Sequence, residues 1–499
     1  MDKVRRRQAG ELHNHAVSLV VLRGARKTWH PLEDYAENFD NLFATLAQRR
    51  GLREYLQGLL LPKDRNKTLT ALANTEPIVG AQGASAQRLQ FFLSESGWDA
   101  HSVNAHRLQL LREDSATKPR ADGVLIIDET GDRKDGKTTA YVAHQYLSSV
   151  GRIANGIVSV SRVWADESVY YPLHIEPYEP AERLPRGKAD PAFRTKPQIG
   201  VELVDRAREA GIPFRAVVAD SVYGESPNFE GKLWKTKVPY VLSLKPHKGR
   251  WAEEEAAHTP EEAARRLEWG GPDNPGDWDE VVRRFRDGHE ERWWAAEVKT
   301  LVGYSPEESV RLVVVVSTDP SRLPANSSWY LTTNLPAPGS FHEKESPLAA
   351  ASLEEIVRLY GLRMWVEQSY KHLKGELGFS DFQVRSDSAI RRHWLLIFCA
   401  FSFCWWAYIR QHYEVAPIDA LAQTQPVPQE AGGKEKEPEK ERRPLSWPLA
   451  LRQVQSWLNP WVMLWRFWRA WSDRPPPPQL RAVLDAVGGG HPLNVYVPT

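Results

Sequence analysis

Apolar residues recur every three or four positions through the first 115 residues of the chain. The spacing is clear in YAENFDNLFATLAQRRGLREYLQGLLL and again in AQRLQFFLSESGWDAHSVNAHRLQLLRED. Because an α-helix turns once in 3.6 residues, this spacing places the apolar side chains on one helical face. We predict a helical N-terminal region over residues 1–117.

After Lys118 the pattern changes to short apolar runs that are typical of strands. The runs VLIID, TAYVAHQYLSS and GIVSVSRVW, which lie between residues 124 and 164, predict three neighbouring strands in an antiparallel meander. Further along, IGVELVDRAREAG predicts a helix between two more strands, FRAVVAD and YVLSLK. Strands with an intervening helix indicate an α/β fold, and we assign residues 118–245 to the first part of this core.

The next hundred residues, 246–345, again resemble strands separated by turns and predict a β-rich insertion domain. The second part of the core, residues 346–415, is predicted to open with a helix at Ser352. The sequence SLEE there predicts a capping box, and the helix is expected to run to Gly375 or Gly378.

The most apolar segment, WLLIFCAFSFCWWAY, spans Trp394 to Tyr408. It is shorter than the roughly 20 residues that a membrane-spanning helix needs, so we predict a buried core helix. The charged, proline-containing residues 416–445 predict a flexible linker, and residues 446–499 a tryptophan-rich helical region with a tail.

Composition indicates where in the cell the protein is found, but it excludes few classes of function. Charged residues make up 26% of the chain and hydrophobic residues 41%, which are globular values. Lys and Arg exceed Asp and Glu by 65 − 64 = +1, a balance that does not exclude nucleic acid because DNA binding needs only a local excess of cations. With two cysteines and no apolar leader at the N-terminus, a cytoplasmic protein is expected.

Two aspartates follow apolar strands, Asp128 after VLII and Asp220 after AVVA. A carboxylate at the end of a strand is held rigidly at the edge of a sheet, where it can bind a divalent cation. Either residue could instead form a turn or cap a helix.

A third acid lies in the helix predicted from Ser352. Tyr360, Arg363, Glu367 and Lys374 have offsets of 0, 3, 7 and 14, which place them within an arc of roughly 60°. The alternative is a solvated face with ion pairs at helical spacing, since Arg363 and Glu367 are four residues apart.

The segment YGLRMWVEQSYKHLKG matches, at all four positions, the YREK signature of bacterial insertion-sequence DDE transposases. The segments IIDETGDRKDGKTTAYVAHQY and VVADSVYGES resemble the first and second aspartate regions of the DDE superfamily endonucleases. The resemblance runs from about residue 30 to residue 410 and is closest to insertion-sequence family 701.

This resemblance implies a ribonuclease-H-like catalytic core in which Asp128, Asp220 and Glu367 bind two divalent ions, usually Mg²⁺ with Mn²⁺ as a substitute. Arg363 and Lys374 would contact DNA phosphates near the scissile bond, with Tyr360 as a hydrogen-bonding partner.

Other residues are weaker candidates for the site. Lys137 could line the DNA groove, or it could be a solvated loop cation, and the same holds for Lys134. Glu129 is either a supporting acid or a surface carboxylate.

The implied function is a DDE transposase that binds inverted-repeat ends, cleaves DNA and transfers strands, acting as a homodimer on DNA without membrane contact and associated with the bacterial nucleoid. The N-terminal region, residues 1–117, would then bind DNA. Two alternatives remain open, a transposase-derived DNA-binding protein that does not cut and a metal-dependent endonuclease without strand transfer.

The insertion of 367 − 220 − 1 = 146 residues between the second and third acids resembles that of hairpin-forming transposases. Trp293, Trp294 or Trp329 could stack on an extruded base there, although packing in a core is the simpler role. Trp461, Trp465 and Trp468 recur at helical spacing, which favours a packing face. The alternative is a contact with DNA or a partner.

Overall fold

A computed structural model describes residues 31–75, 82–248, 259–285, 288–298, 311–317, 319–323, 328–413, 446–471, 475 and 477–488. The predicted linker, residues 416–445, lies outside the described residues. So do the first 30 residues of the predicted N-terminal region and residues 489–499 of the predicted tail.

The part of the N-terminal region that is described is helical, as predicted. Its helices are α1 (Pro31–Glu37), α2 (Leu46–Leu60), α3 (Leu69–Leu72), α4 (Ala84–Ser94) and α5 (Ala100–Glu113). Helix α2 begins with a capping box, in which the Thr45 hydroxyl accepts from the Gln48 amide and the Gln48 side chain accepts from the Thr45 amide.

A single mixed sheet of ten strands follows in the described residues. The strands are β1 (Val124–Arg133), β2 (Ala143–Leu147), β3 (Arg152–Ala165), β4 (Tyr170–Pro177), β5 (Ala216–Ala219), β6 (Tyr240–Ser243), β7 (Asp279–Arg284), β8 (Glu290–Val298), β9 (Arg311–Val316) and β10 (Ser328–Thr333). Their order is β2-β3-β1-β5-β6-β10-β9-β8-β7, with β4 also paired to β3. Strand β1 is antiparallel to β3 and parallel to β5, and β5 is parallel to β6.

The later helices cover this sheet and complete the core. They are α6 (Lys196–Glu209), α7 (Ser221–Gly224), α8 (Pro227–Lys235), α9 (Pro260–Ala264), α10 (Phe341–Glu345), α11 (Leu353–Gly361), α12 (Met364–Gly375), α13 (Asp387–Tyr413), α14 (Trp447–Trp471) and α15 (Pro478–Gly488). The mixed α/β class predicted from the sequence is therefore confirmed.

The apolar segment from Trp394 to Tyr408 lies in α13 and is buried, as predicted, against helices of the N-terminal region, strand β4 and α14. In the described part of the chain, no helix has the length and apolar character that crossing a membrane requires.

Two expectations about the first strands were wrong. Strands β1 and β2 both pair with β3, so the three do not follow one another across the sheet as a meander would. Strand β4 was missed because it contains Pro172 and Pro177, and proline cannot donate to a strand ladder. A β-bulge accommodates Pro172: the register shifts so that Arg162 faces His174 and Val163 faces Pro172.

The strands predicted for residues 246–345 are β7 to β10. Strand β10 pairs with β6, so these four strands extend the central sheet edge to edge. Their outer face has a small core of its own, which includes Trp278, Trp294 and Tyr330.

Candidate active site

The first two acids lie side by side where parallel pairing ends. Ile127 of β1 is the partner of Ala219, the last residue of β5, so Asp128 and Asp220 are the next residues on adjacent strands. The prediction that Asp128 ends its strand was wrong, because β1 continues to Arg133 by pairing with β3. It is β5, and not β1, that ends at this point.

Asp220 is the N-cap of α7, and its Oδ1 accepts from the Val222 amide at 3.0 Å. The cap role considered from the sequence is thus present, and it fixes the carboxylate next to β1. Helix α7 lies very close to β6, since a Cβ added to Gly224 would stand 2.0 Å from the Ser243 carbonyl oxygen. Only glycine permits this approach without a backbone shift.

The helix predicted from Ser352 is broken into α11 and α12. Ser352 does cap α11, because its hydroxyl accepts from the Glu355 amide at 3.2 Å. The Glu355 carboxylate bonds instead to Arg215, at 2.6 Å, so the reciprocal half of the predicted capping box is not seen.

The break falls at Gly361 to Arg363, where α11 ends and α12 begins. The Arg283 guanidinium donates to the Gly361 carbonyl oxygen at 3.3 Å and packs against the glycine. This contact, which comes from β7, lies outside what helical periodicity within one segment can reveal. The single uninterrupted helix predicted from Ser352 is therefore wrong, although Leu362 and Arg363 keep helical backbone angles and α12 ends at Gly375, as predicted.

Arg363 joins the third acid to the first. Its Nη2 donates to Oδ2 of Asp128 at 3.0 Å, and its Nη1 donates to Oε1 of Glu367 at 3.1 Å. The Arg363 side chain is 18% exposed, whereas that of Glu367 is 65% exposed. Glu367 thus reaches the site from the solvent side of α12.

Helix α12 runs parallel to β1 and is fixed at both ends. Lys374 donates to the Gly131 carbonyl oxygen at 3.0 Å and forms an ion pair with Asp132 at 2.8 Å. The eleven residue-to-residue steps from Arg363 to Lys374 span about 16 Å at helical rise, close to the roughly 13 Å between Asp128 and Asp132 on a strand. The charged ends of α12 therefore match two acids on one face of β1.

Burial dominates the electrostatics of Asp128. It raises the pKa of Asp128 to about 7, the negative charge of Asp220 acts in the same direction, and Arg363 opposes them. Burial lowers the pKa of Arg363, but Asp128, Tyr360 and Asp220 more than offset this, so the guanidinium stays charged. Two carboxylates compete here for compensating positive charge.

Tyr370 and Ser161 were not identified from the sequence. Ser161 is the β3 partner of Asp128, and its hydroxyl bonds to that of Tyr370. Tyr370 follows Glu367 by three residues, a spacing that could have indicated a place on the same side of α12. Burial raises the pKa of the Tyr370 hydroxyl well above its usual value, so it remains protonated beside Asp128.

The residues predicted to contact DNA occupy different environments. Tyr360 is only 8% exposed, and its ring lies edge-on to Trp329 with centroids 5.0 Å apart. The Lys374 ammonium is held by β1, and that of Lys134 by the carbonyl oxygens of Ser380 and Phe382. Lys137 is exposed on the loop after β1. Their contacts with DNA stay predictions.

The tryptophans considered for base stacking are packed against protein. Trp293 lies edge-on to Trp329 at 4.7 Å, and the Arg283 guanidinium stands 4.5 Å from the Trp293 ring. Trp294 is buried in the small outer core. Trp329 is only partly buried, and its ring contacts those of both Trp293 and Tyr360. Of the three tryptophans, it is therefore the one in contact with a residue of the YREK signature.

In the described residues, no group of three or more His, Cys, Asp and Glu side chains is arranged to hold a metal ion. The donor set nevertheless fits a hard divalent cation in kind. Asp128 and Asp220 are adjacent, their oxygens are ligands that Mg²⁺ prefers, and Glu367 is joined to Asp128 through one guanidinium.

Comparison with known proteins identifies the class. Residues 38–299 match the family described as DDE superfamily endonuclease, which is more than half of the chain. The chain belongs to this family. The match contains Asp128 and Asp220, whereas Glu367 lies beyond its end.

A more specific relative is described as a probable transposase for insertion sequence element IS701, from Microchaete diplosiphon. It is 30% identical over 367 residues, which cover 73% of this chain and 85% of the relative. The resemblance to insertion-sequence DDE transposases is therefore confirmed. The synaptic complex of piggyBac transposase with hairpin DNA is a weak structural match, with a TM-score of 0.38 and 12% identity over 91% of this chain and 78% of that chain.

Proposed function

We propose that this chain is a transposase that binds the inverted-repeat ends of its own element, cleaves DNA there and joins the freed 3'-hydroxyl to target DNA. The observation that carries the proposal is the adjacency of Asp128 and Asp220 in a chain of the DDE family, with Glu367 linked to Asp128 through Arg363.

The sheet supports a ribonuclease-H-like catalytic core. Strands β1, β3 and β4 form an antiparallel group, and β5 and β6 continue from β1 in parallel. Asp128 and Asp220 lie on the two central strands of that arrangement, β1 and directly after β5. A rigid mount of this kind fixes carboxylates for metal binding.

Asp128, Asp220 and Glu367 would hold the divalent cations, Mg²⁺ or Mn²⁺. Bound cations would neutralise charge on the attacking and leaving oxygens of a phosphodiester displacement. Arg363 pairs with Asp128 and opposes the rise of its pKa that burial causes. The Ser161 hydroxyl, on the strand next to Asp128, bonds to Tyr370. Glu367, being the most exposed of the acids, is free to change its partner.

The DNA-binding residues divide into two groups. Arg363, which lies at the carboxylates, and Lys137, which lies on the exposed loop, would contact phosphates. The contacts of Lys374 and Tyr360 favour positioning roles, since Lys374 fixes the end of α12 on β1 and Tyr360 packs at the helix break. Because transposition brings two ends together, we propose a homodimer on DNA.

The test is incubation of the full chain with Mg²⁺ and a supercoiled plasmid that carries the element's inverted repeats, followed by mapping of cut sites and joined products. A plasmid without the repeats is the control. We expect cuts at the repeat ends and joined products only with the repeats. Cuts without joining would favour the endonuclease alternative, and binding without cuts in Mg²⁺ or Mn²⁺ would favour the non-cleaving protein.

A further inference from the structure

A cavity of about 60 Å³ lies between the start of α5, strand β4 and α13. Its walls include His101, Asn104, His174, Glu176 and Arg391. His174 faces Arg162 on β3, one residue beyond Ser161, the partner of Asp128. Because neighbouring strand residues point to opposite faces, this cavity is on the other side of the sheet from the three acids.

Two fully buried arginines stand behind the cavity, and neither has a carboxylate partner among the residues that the structure describes. Arg107 bonds to the Asn104 side chain, the Leu173 carbonyl oxygen and the Ser402 hydroxyl. Arg162 bonds to the Leu203 carbonyl oxygen and to His174, and its Nε has no partner among the described residues. A buried charge without an opposite charge nearby is unfavourable. A bound anion would therefore stabilise these two arginines.

The acid in the cavity wall does not supply that charge. Glu176 is already bound by two other arginines, Arg206 at 2.6 Å and Arg391 at 2.8 Å. Arg391 has a second partner in Asp387 at 2.6 Å. Among the described residues, Arg107, Arg162, Arg206 and Arg391 thus share two carboxylates, those of Glu176 and Asp387, which leaves an excess of two positive charges.

Two hydrogen-bond donors also meet at the cavity, Nε2 of His174 and Nδ2 of Asn104, and Nδ2 gives one of its two hydrogens to the Leu173 carbonyl oxygen at 3.2 Å. Nδ1 of His174 accepts from Arg162 at 2.5 Å, so the proton of the neutral ring is on Nε2. That Nε2 is 3.0 Å from Nδ2 of Asn104, which is also a donor. Turning the amide over would not help, because Oδ1 of Asn104 accepts two bonds from Arg107.

His174 does not gain a proton to become an additional cation. Burial and then the charges of Arg162, Arg107, Arg206 and His101 lower its pKa to about 2. The ring is therefore neutral near pH 7, with one N–H directed towards Asn104. An acceptor oxygen on the cavity side, within hydrogen-bond distance of both nitrogens, would accept from both donors.

We propose that this cavity binds a phosphate-like oxyanion through Nε2 of His174, Nδ2 of Asn104 and the Arg391 guanidinium. The volume is that of about two water molecules, and the exposed His101 forms part of the wall, so a small oxyanion can bind with part of its surface in water. The oxyanion is either free inorganic phosphate or a phosphodiester of DNA. The inference does not depend on the cleavage function proposed above.

The test is titration of the full chain with inorganic phosphate at constant ionic strength, with chloride as the balancing anion. Binding is followed by the melting temperature and by the phosphorus NMR line width well below the melt. The variant is Arg391→Met, and the matched control is Arg206→Met. Both lose an ion pair to Glu176, but only Arg391 lines the cavity.

We expect saturable binding by the native chain and by Arg206→Met, and binding at least about tenfold weaker in Arg391→Met, because a charge-assisted hydrogen bond is lost. The line width keeps the test valid if a variant melts early. Absence of saturable binding by the native chain, or equal binding by the two variants, would overturn the proposal.

A duplex without inverted repeats distinguishes the two sources of the oxyanion. If the ligand is a DNA phosphodiester, the duplex displaces inorganic phosphate, and Arg391→Met lowers the salt dependence of duplex binding by about one ion. If the ligand is free phosphate, the duplex leaves phosphate binding unchanged. Cleavage at the inverted repeats is measured in a separate assay. Failure of the oxyanion proposal can therefore be distinguished from failure of the proposed transposase function.

Discussion

Replacement of Asp128 by asparagine removes a carboxyl group whose ionisation opposes folding. Burial raises the pKa of Asp128 from 3.8 to about 7. The folded state therefore holds this proton more tightly than the unfolded state, and the contribution of Asp128 to stability falls as pH rises from about 4 to about 7. A difference of about three pKa units corresponds to about 4 kcal/mol.

The Asp128→Asn variant lacks this pH-dependent loss. It also leaves Arg363 with Glu367 alone, a cost that does not depend on the ionisation of Asp128. Comparing the two proteins across pH thus isolates the carboxyl group. At about 2 cal/mol/K per residue, 4 kcal/mol corresponds to roughly 4 °C in this chain of 499 residues.

Melting temperatures of both proteins between pH 4.5 and pH 8.5, with a chelator present, measure the effect. We expect the native chain to lose about 4 °C relative to Asp128→Asn as pH rises, with the loss complete above pH 7. A constant difference across this range, or one that favours the native chain at high pH, would refute the reasoning about burial.

Two further predictions concern the C-terminal helix and the loop after β1. Trp447 is fully buried, stacks on Phe401 with ring centroids 4.5 Å apart and donates to the Phe401 carbonyl oxygen. Trp447→Ala should therefore lower the free energy of unfolding, measured in urea, by about 3 to 5 kcal/mol. The control Met463→Ala, at an exposed position, should lower it by under about 0.5 kcal/mol. Equal costs would show that α14 does not dock through Trp447. Lys137→Ala should weaken DNA binding at all sequences and lower its salt dependence by about one ion in a fluorescence anisotropy titration, and an unchanged salt dependence would exclude a phosphate contact.

Local patterns in the sequence predict most elements of this fold. Helical periodicity identifies α2, α5 and α6, and apolar runs identify β5, β6 and the strands of residues 246–345. The patterns do not reveal that these later strands extend the central sheet, because the pairing of β10 with β6 joins residues about 90 positions apart. Strand β4 is hidden for a local reason, its two prolines.

For the site, the sequence predicts the identity of the acids but not how the surrounding side chains pair. Motif resemblance selects Asp128, Asp220 and Glu367, and adjacency of the first two follows once β1 and β5 are parallel. The break between α11 and α12 could not be predicted, because Arg283 of a distant strand contacts it. The double pairing of Arg363 likewise depends on how α12 lies on β1, which no spacing within the helix specifies.

The most direct test of the central claim is cleavage of repeat-bearing plasmid by Glu367→Gln in Mg²⁺, with Glu376→Gln as control. Glu367 is 65% exposed and, within the described part of the chain, bonds to Arg363 alone, so the variant should fold and bind DNA as the native chain does. Loss of a metal-holding carboxylate should remove about 3 kcal/mol or more of transition-state stabilisation, at least roughly a 100-fold drop in rate. Glu376, an exposed acid just beyond α12, should be replaceable without effect. Cleavage by Glu367→Gln at the native rate would contradict the assignment of the three acids.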